Sequence, residues 1–508
     1  MKAIDLPEHE MKLFRSCVLT VVFLFMAVAC NRTPDCTDLY QQAEDRLEDG
    51  RFNEIRVLAD SIRKMCPDSG SLIVSSDSLL QIAERIKLDF SLTEEDAERQ
   101  LRNRTGGFTT AERDLWGKMN WLEYRYIEGE KRYFRRAPSN LILLRNFFQN
   151  RELNDSLDLT DPDLIFRRKH TQSVIQASEL RPEPVQPAKM IVNYTLTVPP
   201  GAVPPGKTIR CWLPWPKENH ARQTNVTFIS ASHEDYIISP DSMSHRTIYM
   251  ETAAAEKEPA VFKISFGYQS AGQYFDPDKL SIKPYDKNSE IYRKHTSEKL
   301  PHICFTENVK KLTDSITGSD PDPFGILRKL YYWIDDNIPW AGALEYSTVP
   351  NIPEYVIRNR RGDCGMKTFL LMSMLRYKGI PVRWQSGWMM PPGGKNLHDW
   401  CEVYFEGPGW IPVDMSFGLQ LSDDKKIRDF YISGIDAYRL IVNEEVAAPL
   451  WPGKKFLRSE PYDFQRGEVE WEGGNLYFDK WDYDMQIEYV DDKSLRSLRP
   501  EYQMTVQD

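Results

Sequence analysis

Apolar and polar positions follow different patterns along the chain, and the first pattern is helical. Between residues 38 and 102, three segments show apolar residues at helical spacing, separated by Asp-Gly and Pro-Asp-Ser-Gly breaks. Thr109 or Thr110 is a candidate N-cap for a further helix, and its aromatic residues predict that it continues to Ile127. We therefore expect a domain of paired helices over residues 31–178.

A proline-rich segment ends the helical pattern, and the apolar period then changes from about 3.6 to 2. Residues 179–189 contain three prolines in eleven residues, which is typical of a linker. After it, Val192, Tyr194 and Leu196 alternate with polar residues, and similar short runs recur between Pro-rich and Gly-rich turns. This pattern predicts a β-sandwich domain over residues 190–284.

Helical spacing returns in residues 285–450, mixed with strands. Asp322 and Pro323 provide an N-cap and a proline at the first helical position. Residues 451–508 are aromatic and acidic with few periodic signals, so the pattern assigns them no structure. The expected fold class is a multidomain α+β protein with an N-terminal helical region, a β-sandwich and a mixed α+β core.

Residues 1–30 have the organisation of a secretory signal. A short cationic segment at Met11–Arg15 precedes an apolar run at Val18–Val28 and a small-residue site that ends at Cys30. The apolar run is about half the roughly 20 residues that a spanning helix needs. We expect a bacterial lipoprotein signal peptide with Cys30 as the lipidated residue, and plain signal cleavage as the alternative. The mature protein would then be lipid-anchored in the cell envelope, facing the periplasm or the outer surface.

Charge and cysteine content narrow the classes of partner. The formal charge is −10, from 75 acidic and 65 basic residues, without a basic run like that of a nucleic-acid arm, so we expect no nucleic-acid partner. None of the eight cysteines forms a CxxC motif, and no HExxH motif occurs, which argues against a zinc site. An oxidising compartment permits disulfides. Cys36 and Cys66 are the candidate pair because both flank one predicted helical hairpin.

The window from Arg360 to Gly418 carries the candidate chemistry. Asp363 is an N-cap candidate, residues 366–375 are apolar almost all round, and Gly379 is suited to the position just past a helix end. These features predict a buried helix with Cys364 in its first turn. There the helix dipole and the free backbone N–H groups favour a thiolate and could bind an oxyanion.

His398 is the only histidine C-terminal to Cys364, which makes it the candidate proton acceptor. It lies in an alternating run that predicts a strand, followed by a turn and a returning strand that ends near Asp414. A simple hairpin would place residue 417 opposite His398, so Asp414 would miss it by about 10 Å unless a bulge or longer loop shifts the register. Asp399 is the competing partner for the histidine, but its side chain should point to the opposite face of the strand.

Four motifs in this window resemble the core of the transglutaminase-like superfamily. They are Cys364-Gly365, Gly379-Ile380-Pro381-Val382-Arg383, His398-Asp399-Trp400-Cys401-Glu402-Val403-Tyr404 and Gly409-Trp410-Ile411-Pro412-Val413-Asp414. The resemblance covers roughly residues 300–420. It implies a papain-like α+β core, without a metal ion or organic cofactor, in which Cys364 is the nucleophile, His398 its base and Asp414 the residue that orients the histidine.

The chain departs from the family pattern in two places. Met415 and Ser416 follow Asp414 where the family often has Pro-Thr. The aromatic residue that helps the oxyanion hole in some members has Trp340 as its candidate here.

The resemblance also implies an acyl-enzyme mechanism, in which the thiol attacks an amide carbonyl and the histidine protonates the leaving amine. The expected activity is that of a cysteine protease or amidohydrolase acting on a protein or peptide substrate. Transamidation, which cross-links a glutamine side chain to an amine, is the alternative if an amine rather than water resolves the thioester. A further alternative is a non-catalytic cell-envelope scaffold, in which the helices and the β-sandwich bind a partner. Another alternative is an adaptor whose helical domain, residues 31–178, recruits other envelope proteins.

Overall fold

The computed structural model describes residues 35–149, 161–179 and 183–490. The predicted signal peptide and Cys30 lie outside these described residues. Within the described ranges, no helix is both long and apolar enough to cross a bilayer.

Backbone contacts divide the chain into two compact units, and the first contains the residues up to Asp96 together with Tyr124–Arg135. Its helices and strands are α1 (Cys36–Asp49), α2 (Phe52–Met65), α3 (Gly70–Asp89), β1 (Tyr124–Ile127) and β2 (Glu130–Tyr133). The helices bury apolar side chains such as Ile55 and Ile62 completely, as their helical spacing requires. A disulfide joins Cys36 to Cys66, which confirms the predicted pair.

The remaining elements follow in chain order. The helices are α4 (Glu94–Thr105), α5 (Thr110–Lys118), α6 (Ala137–Gln149), α7 (Pro162–Ser178), α8 (Glu290–His295), α9 (Glu307–Thr317), α10 (Pro323–Asn337), α11 (Ile352–Asn359), α12 (Cys364–Tyr377), α13 (Lys425–Arg428) and α14 (Phe430–Ser433). The strands are β3 (Val185–Val198), β4 (Thr208–Pro214), β5 (Gln223–Ala231), β6 (Tyr236–Ile238), β7 (Thr247–Ala253), β8 (Ala260–Tyr274), β9 (Val382–Met389), β10 (Asn396–Phe405), β11 (Gly409–Val413), β12 (Gly434–Ile435), β13 (Arg439–Asn443), β14 (Glu468–Trp471), β15 (Gly474–Leu476) and β16 (Asp482–Val490).

The predicted continuation of one aromatic helix to Ile127 is wrong. Helix α5 begins at a capping box formed by Thr109 and Glu112, as its sequence predicts, but it ends at Lys118. The aromatic residues that follow form the hairpin of β1 and β2. Its two turn residues, Glu128 and Gly129, have positive φ angles of 51° and 81°, which a two-residue hairpin turn of this kind requires.

The predicted β-sandwich consists of two five-stranded sheets that share one core. One sheet has the order β12-β8-β3-β16 with β5 also on β8, and the other has the order β15-β14-β4-β7-β6. Buried side chains from both sheets, among them Tyr194, Phe262, Trp212 and Met250, belong to one apolar cluster. Strand β3 begins at Val185, so the last part of the predicted linker is already part of a sheet.

The segment beyond residue 451, to which the sequence pattern assigned no structure, completes both of these sheets. Strand β14 pairs with β4, and β16 pairs with β3 along its whole length, from Asp482 opposite Thr197 to Val490 opposite Lys189. Strand β14 is short, and β16 pairs with a strand that lies almost 300 residues earlier in the chain. A local sequence pattern cannot reveal such pairings.

A third sheet forms the mixed α+β core and has the antiparallel order β11-β10-β9-β13. Helix α12 packs against β10, and all of its residues from Gly365 to Arg376 are buried. The sequence predicted this buried helix and the β10–β11 hairpin.

Candidate active site

Cys364 is the first residue of α12, as the sequence predicted. Asp363 caps the helix: its Oδ1 accepts a hydrogen bond from the backbone N–H of Met366 at 3.1 Å. Cys364 is partly exposed, whereas the residues from Gly365 to Arg376 are buried. The thiol therefore lies at the start of the helix, beside its free backbone N–H groups.

His398 lies on β10, and its imidazole contacts Asp414. Nε2 of His398 and Oδ2 of Asp414 are 2.8 Å apart, and both side chains are buried. The other oxygen of Asp414 accepts hydrogen bonds from the backbone N–H groups of Ser416 and Phe417. The carboxylate accepts the Nε2 proton, so Nδ1 is the nitrogen that remains to accept a proton.

The register between β10 and β11 differs from the simple hairpin by one residue. A pair of 417 with His398 would have placed residue 414 opposite Cys401, but the structure pairs Cys401 with Val413. Asp414 thus follows the last paired residue and points to the same face as His398. Side chains at such diagonal positions reach each other across an antiparallel pair, so the predicted three-residue gap does not separate them.

Arg439 is a buried member of the site that the sequence analysis missed. It lies on β13, and its Nη1 is 2.7 Å from Oδ2 of Asp414 while Nη2 is 2.6 Å from Oδ2 of Asp436. Its guanidinium also lies 4.4 Å from the centre of the Phe417 ring. Nothing local to Arg439 in the sequence connects it to Asp414, because α13, α14 and β12 lie between the two residues in the chain.

Burial and neighbouring charges set the protonation states of Asp414 and His398. His398 and Arg439 hold the pKa of the Asp414 carboxyl well below its usual range, despite complete burial. Burial lowers the pKa of His398, and Asp414 partly opposes this shift. In the resting site the carboxylate is therefore charged and the imidazole is neutral.

The hydrogen-bond partner of the Cys364 sulfur is Asp399 rather than His398. Sγ lies 3.4 Å from Oδ2 of Asp399. The amide nitrogen of Gln465 donates to Oδ1 of Asp399 at 2.7 Å and to the backbone carbonyl of His398 at 2.8 Å. Asp399 thus points away from the face that holds Asp414, as predicted, and does not orient the imidazole.

The environment of the sulfur differs from the one that the helix start alone predicted. Burial, Asp399 and Asp363 together raise the pKa of the Cys364 thiol above its ordinary value. Burial also raises the pKa of Asp363 to about 6. The helix dipole favours a thiolate, but in the resting site desolvation and the neighbouring acids outweigh it.

Tyr346 is a second residue that the sequence analysis missed. Its hydroxyl is 2.6 Å from Oδ1 of Asp363 and 3.5 Å from Oδ2 of Asp399. Trp340, the candidate for the oxyanion hole, is 40% exposed and forms a parallel bridge with Gly362, two residues before Cys364. Over the described ranges, no cluster of three His, Cys, Asp or Glu side chains has an arrangement that could hold a metal ion.

Comparison with known proteins gives a family match for part of the chain. Residues 310–415 match the family model of the transglutaminase-like superfamily. The uncharacterized protein YebA of Bacillus subtilis (strain 168) is 24% identical over an alignment of 161 residues, with 28% of this chain and 22% of that protein covered. The match thus spans about a fifth of the relative's length.

Two solved structures are also similar. A candidate cysteine protease from Cytophaga hutchinsonii has 13% identity and a TM-score of 0.42, with 61% of this chain and 92% of that chain covered. The periplasmic domain of TgpA from Pseudomonas aeruginosa has 15% identity and a TM-score of 0.24, with 52% and 93% covered. The match to the transglutaminase-like family model thus covers the part of the chain that holds α12, β10 and β11.

Proposed function

We propose that the protein is a thiol hydrolase that cleaves an amide or peptide bond through Cys364, His398 and Asp414. The observation that carries this proposal is the 2.8 Å contact between His398 and Asp414. Asp399, the next residue of β10 after His398, contacts the sulfur of Cys364. The histidine thus has an oriented tautomer, and its neighbour on the same strand contacts the thiol at the helix start.

These positions support the following reaction. Nδ1 of His398 takes the proton of Cys364, and the sulfur attacks the substrate carbonyl to form a tetrahedral intermediate. The imidazolium then protonates the leaving amine, and the C–N bond breaks to give a thioester. A water molecule, deprotonated by the same nitrogen, attacks the thioester and releases the acid and the thiol. The thiol and imidazole share no hydrogen bond at rest, and such catalytic contacts often tighten only when substrate binds.

The primary test is the rate at which iodoacetamide alkylates Cys364 at pH 7. We expect His398→Ala to slow this rate at least about tenfold, because the base that accepts the thiol proton is lost. Cys364→Ser gives the background from the other thiols. His233→Ala, which changes a histidine of the β-sandwich, is the matched control and should leave the rate unchanged. Equal rates in the His398 variant and the wild type would remove the enzyme proposal and favour a non-catalytic scaffold.

Product analysis distinguishes hydrolysis from transamidation. With a library of quenched peptides and added primary amine, hydrolysis releases free acids, whereas transamidation incorporates the amine. Hydrolysis is the proposed outcome because water needs no separate acceptor channel to reach the thioester.

We also infer that a lipid on Cys30 holds the protein at the bacterial cell envelope. The cationic segment, the short apolar run and the small residues before Cys30 support this anchor. Incorporation of labelled fatty acid in the producing cell tests it, with Cys30→Ala as the control that should lose both the label and membrane association.

A further inference from the structure

Asp399 is a buried acid in direct contact with the candidate nucleophile. Its side chain is 1% exposed, and its Oδ2 lies 3.4 Å from the Cys364 sulfur. It forms no ion pair in the described part of the chain. A charged carboxylate in this position would lack the cation or the several N–H donors that normally offset the loss of water.

The protons of its neighbours can be counted. Both amide hydrogens of Gln465 are in use, one on the His398 carbonyl and one on Oδ1 of Asp399. The single hydroxyl proton of Tyr346 goes to Asp363, which is 2.6 Å away, and not to Asp399 at 3.5 Å. Oδ2 of Asp399 therefore faces an acceptor oxygen on Tyr346 and the sulfur. This arrangement suits an oxygen that carries its own proton.

The surrounding charges favour the same state. Burial raises the pKa of Asp399 well above its ordinary value, and neighbouring acids raise it further. The guanidinium of Arg466, which follows Gln465 in the chain, is already paired with Glu345 at 2.8 Å and Glu460 at 2.7 Å. The titratable groups that face Asp399 are Cys364, Asp363, Tyr346, Asp463 and Glu460.

We propose that Asp399 is a further catalytic residue of this site, which carries a proton and donates it in a hydrogen bond to the Cys364 sulfur. This inference rests on the proposed function. At rest the thiol donates to Oδ2. When His398 takes the thiol proton, the Cys364–Asp399 pair keeps one proton, on Oδ2, and this Oδ2–H group donates a hydrogen bond to the new thiolate. Asp399 then supplies the stabilisation that the helix start alone does not provide.

The test is the pH dependence of iodoacetamide labelling of Cys364 in Asp399→Ala and Asp399→Asn. The alanine variant removes the donor and should label at least about tenfold more slowly at pH 7, since a hydrogen bond to a charged group is lost. The asparagine side chain has the shape of a protonated aspartic acid and carries a donor N–H group. Asp399→Asn should therefore restore most of the labelling rate that Asp399→Ala loses. In the wild type, labelling should rise with pH in two steps because Cys364 and Asp399 titrate as a pair. It should rise in one step in the asparagine variant.

The alternatives give different results. If Asp399 is a carboxylate, both variants remove a repulsive charge, and both label faster than the wild type. That acceleration, or unchanged rates in both variants, would overturn the inference. Asp423→Asn, which alters an exposed acid in the segment after β11, is the matched control and should keep the two-step profile. Thermal melting of each variant checks folding.

Failure of this inference and failure of the proposed function can be separated. If His398→Ala slows labelling but Asp399→Ala does not, only the role of Asp399 is wrong. If neither variant changes the rate, the proposed function fails as well.

Discussion

At the scale of single residues, the site holds two buried aspartates in opposite states. Asp414 is offset by His398, Arg439 and two backbone N–H groups, and its carboxyl stays ionised. Asp399, on the other face of the same sheet, has an amide, a phenol hydroxyl and a thiol as neighbours and forms no ion pair with any residue that the structure describes. The same side chain thus serves as a fixed charge in one place and as a proton carrier in the other, and the environment alone decides which.

The charge of Arg439 can be tested by removing it. Arg439→Met should lower the free energy of unfolding by about 3–5 kcal/mol, because Asp414 and Asp436 stay buried but lose the cation that offsets their charges. Urea unfolding monitored by tryptophan fluorescence measures the change. Arg439→Lys keeps the charge and should lose less. A methionine variant as stable as the wild type would show that Arg439 does not offset these two carboxylates.

The candidate residues differ in how far the sequence could reveal them. Cys364 and His398 could be identified from the sequence because each lies in a short motif with a clear helical or strand pattern around it. Asp414 could be identified from the sequence, but its contact with His398 could not, because the strand register differs by one residue from that of the simple hairpin. Arg439 and Gln465 could not be found, because they reach the site from distant segments whose packing no local pattern encodes.

At the scale of elements, β9 is the strand that holds β10 in place, and Gly387 is its tightest point. Gly387 pairs with His398 on one side and with Ile441 of β13 on the other. A Cβ atom on Gly387 would lie 2.0 Å from the backbone carbonyl oxygen of Leu440. Because that oxygen belongs to a buried strand, it cannot move aside without separating β9 from β13.

Gly387→Ala should therefore destabilise the protein by about 1–3 kcal/mol and slow the labelling of Cys364 by displacing His398. Urea unfolding and iodoacetamide labelling measure the two effects. Gly394→Ala is the matched control, since a Cβ atom there meets nothing within 4 Å. Equal behaviour of the two alanine variants would contradict the close approach of β9 and β13.

The helices and strands, like the site residues, differ in how well the sequence predicts them. Helix α12 and the hairpin of β10 and β11 were predictable, because capping residues, apolar periodicity and turn residues all agree there. The hairpin of β1 and β2 was missed since its aromatic residues continue the spacing of the preceding helix. In that case the turn formed by Glu128 and Gly129 outweighs the helical pattern.

At the scale of the whole molecule, the two sheets of the sandwich are completed by the last described segment. Strand β16 covers the edge of β3 over nine residues, and its Met485 and Tyr489 are buried in the shared core. The tail is thus a structural part of the β-sandwich, although its sequence has few periodic signals.

A chain that ends at Trp481 tests this role. It should lose at least about 3–6 kcal/mol of stability, from the two apolar side chains alone, and it should associate through the exposed edge of β3. Thermal melting and size-exclusion chromatography measure the two changes. A chain that ends at Val490 keeps every described strand and should behave like the full chain. A monomeric, equally stable chain ending at Trp481 would show that β16 is dispensable.

The disulfide in the first unit has a mechanical consequence. Cys36 is the first residue of α1, and its bond to Cys66 bypasses α1 and α2, a sequence separation of 30 residues. A pulling force applied from the N-terminal side enters the described structure at Cys36 and crosses the sulfur bridge directly to Cys66. The two helices between them therefore lie outside the load path, and tension begins to act on the fold at α3.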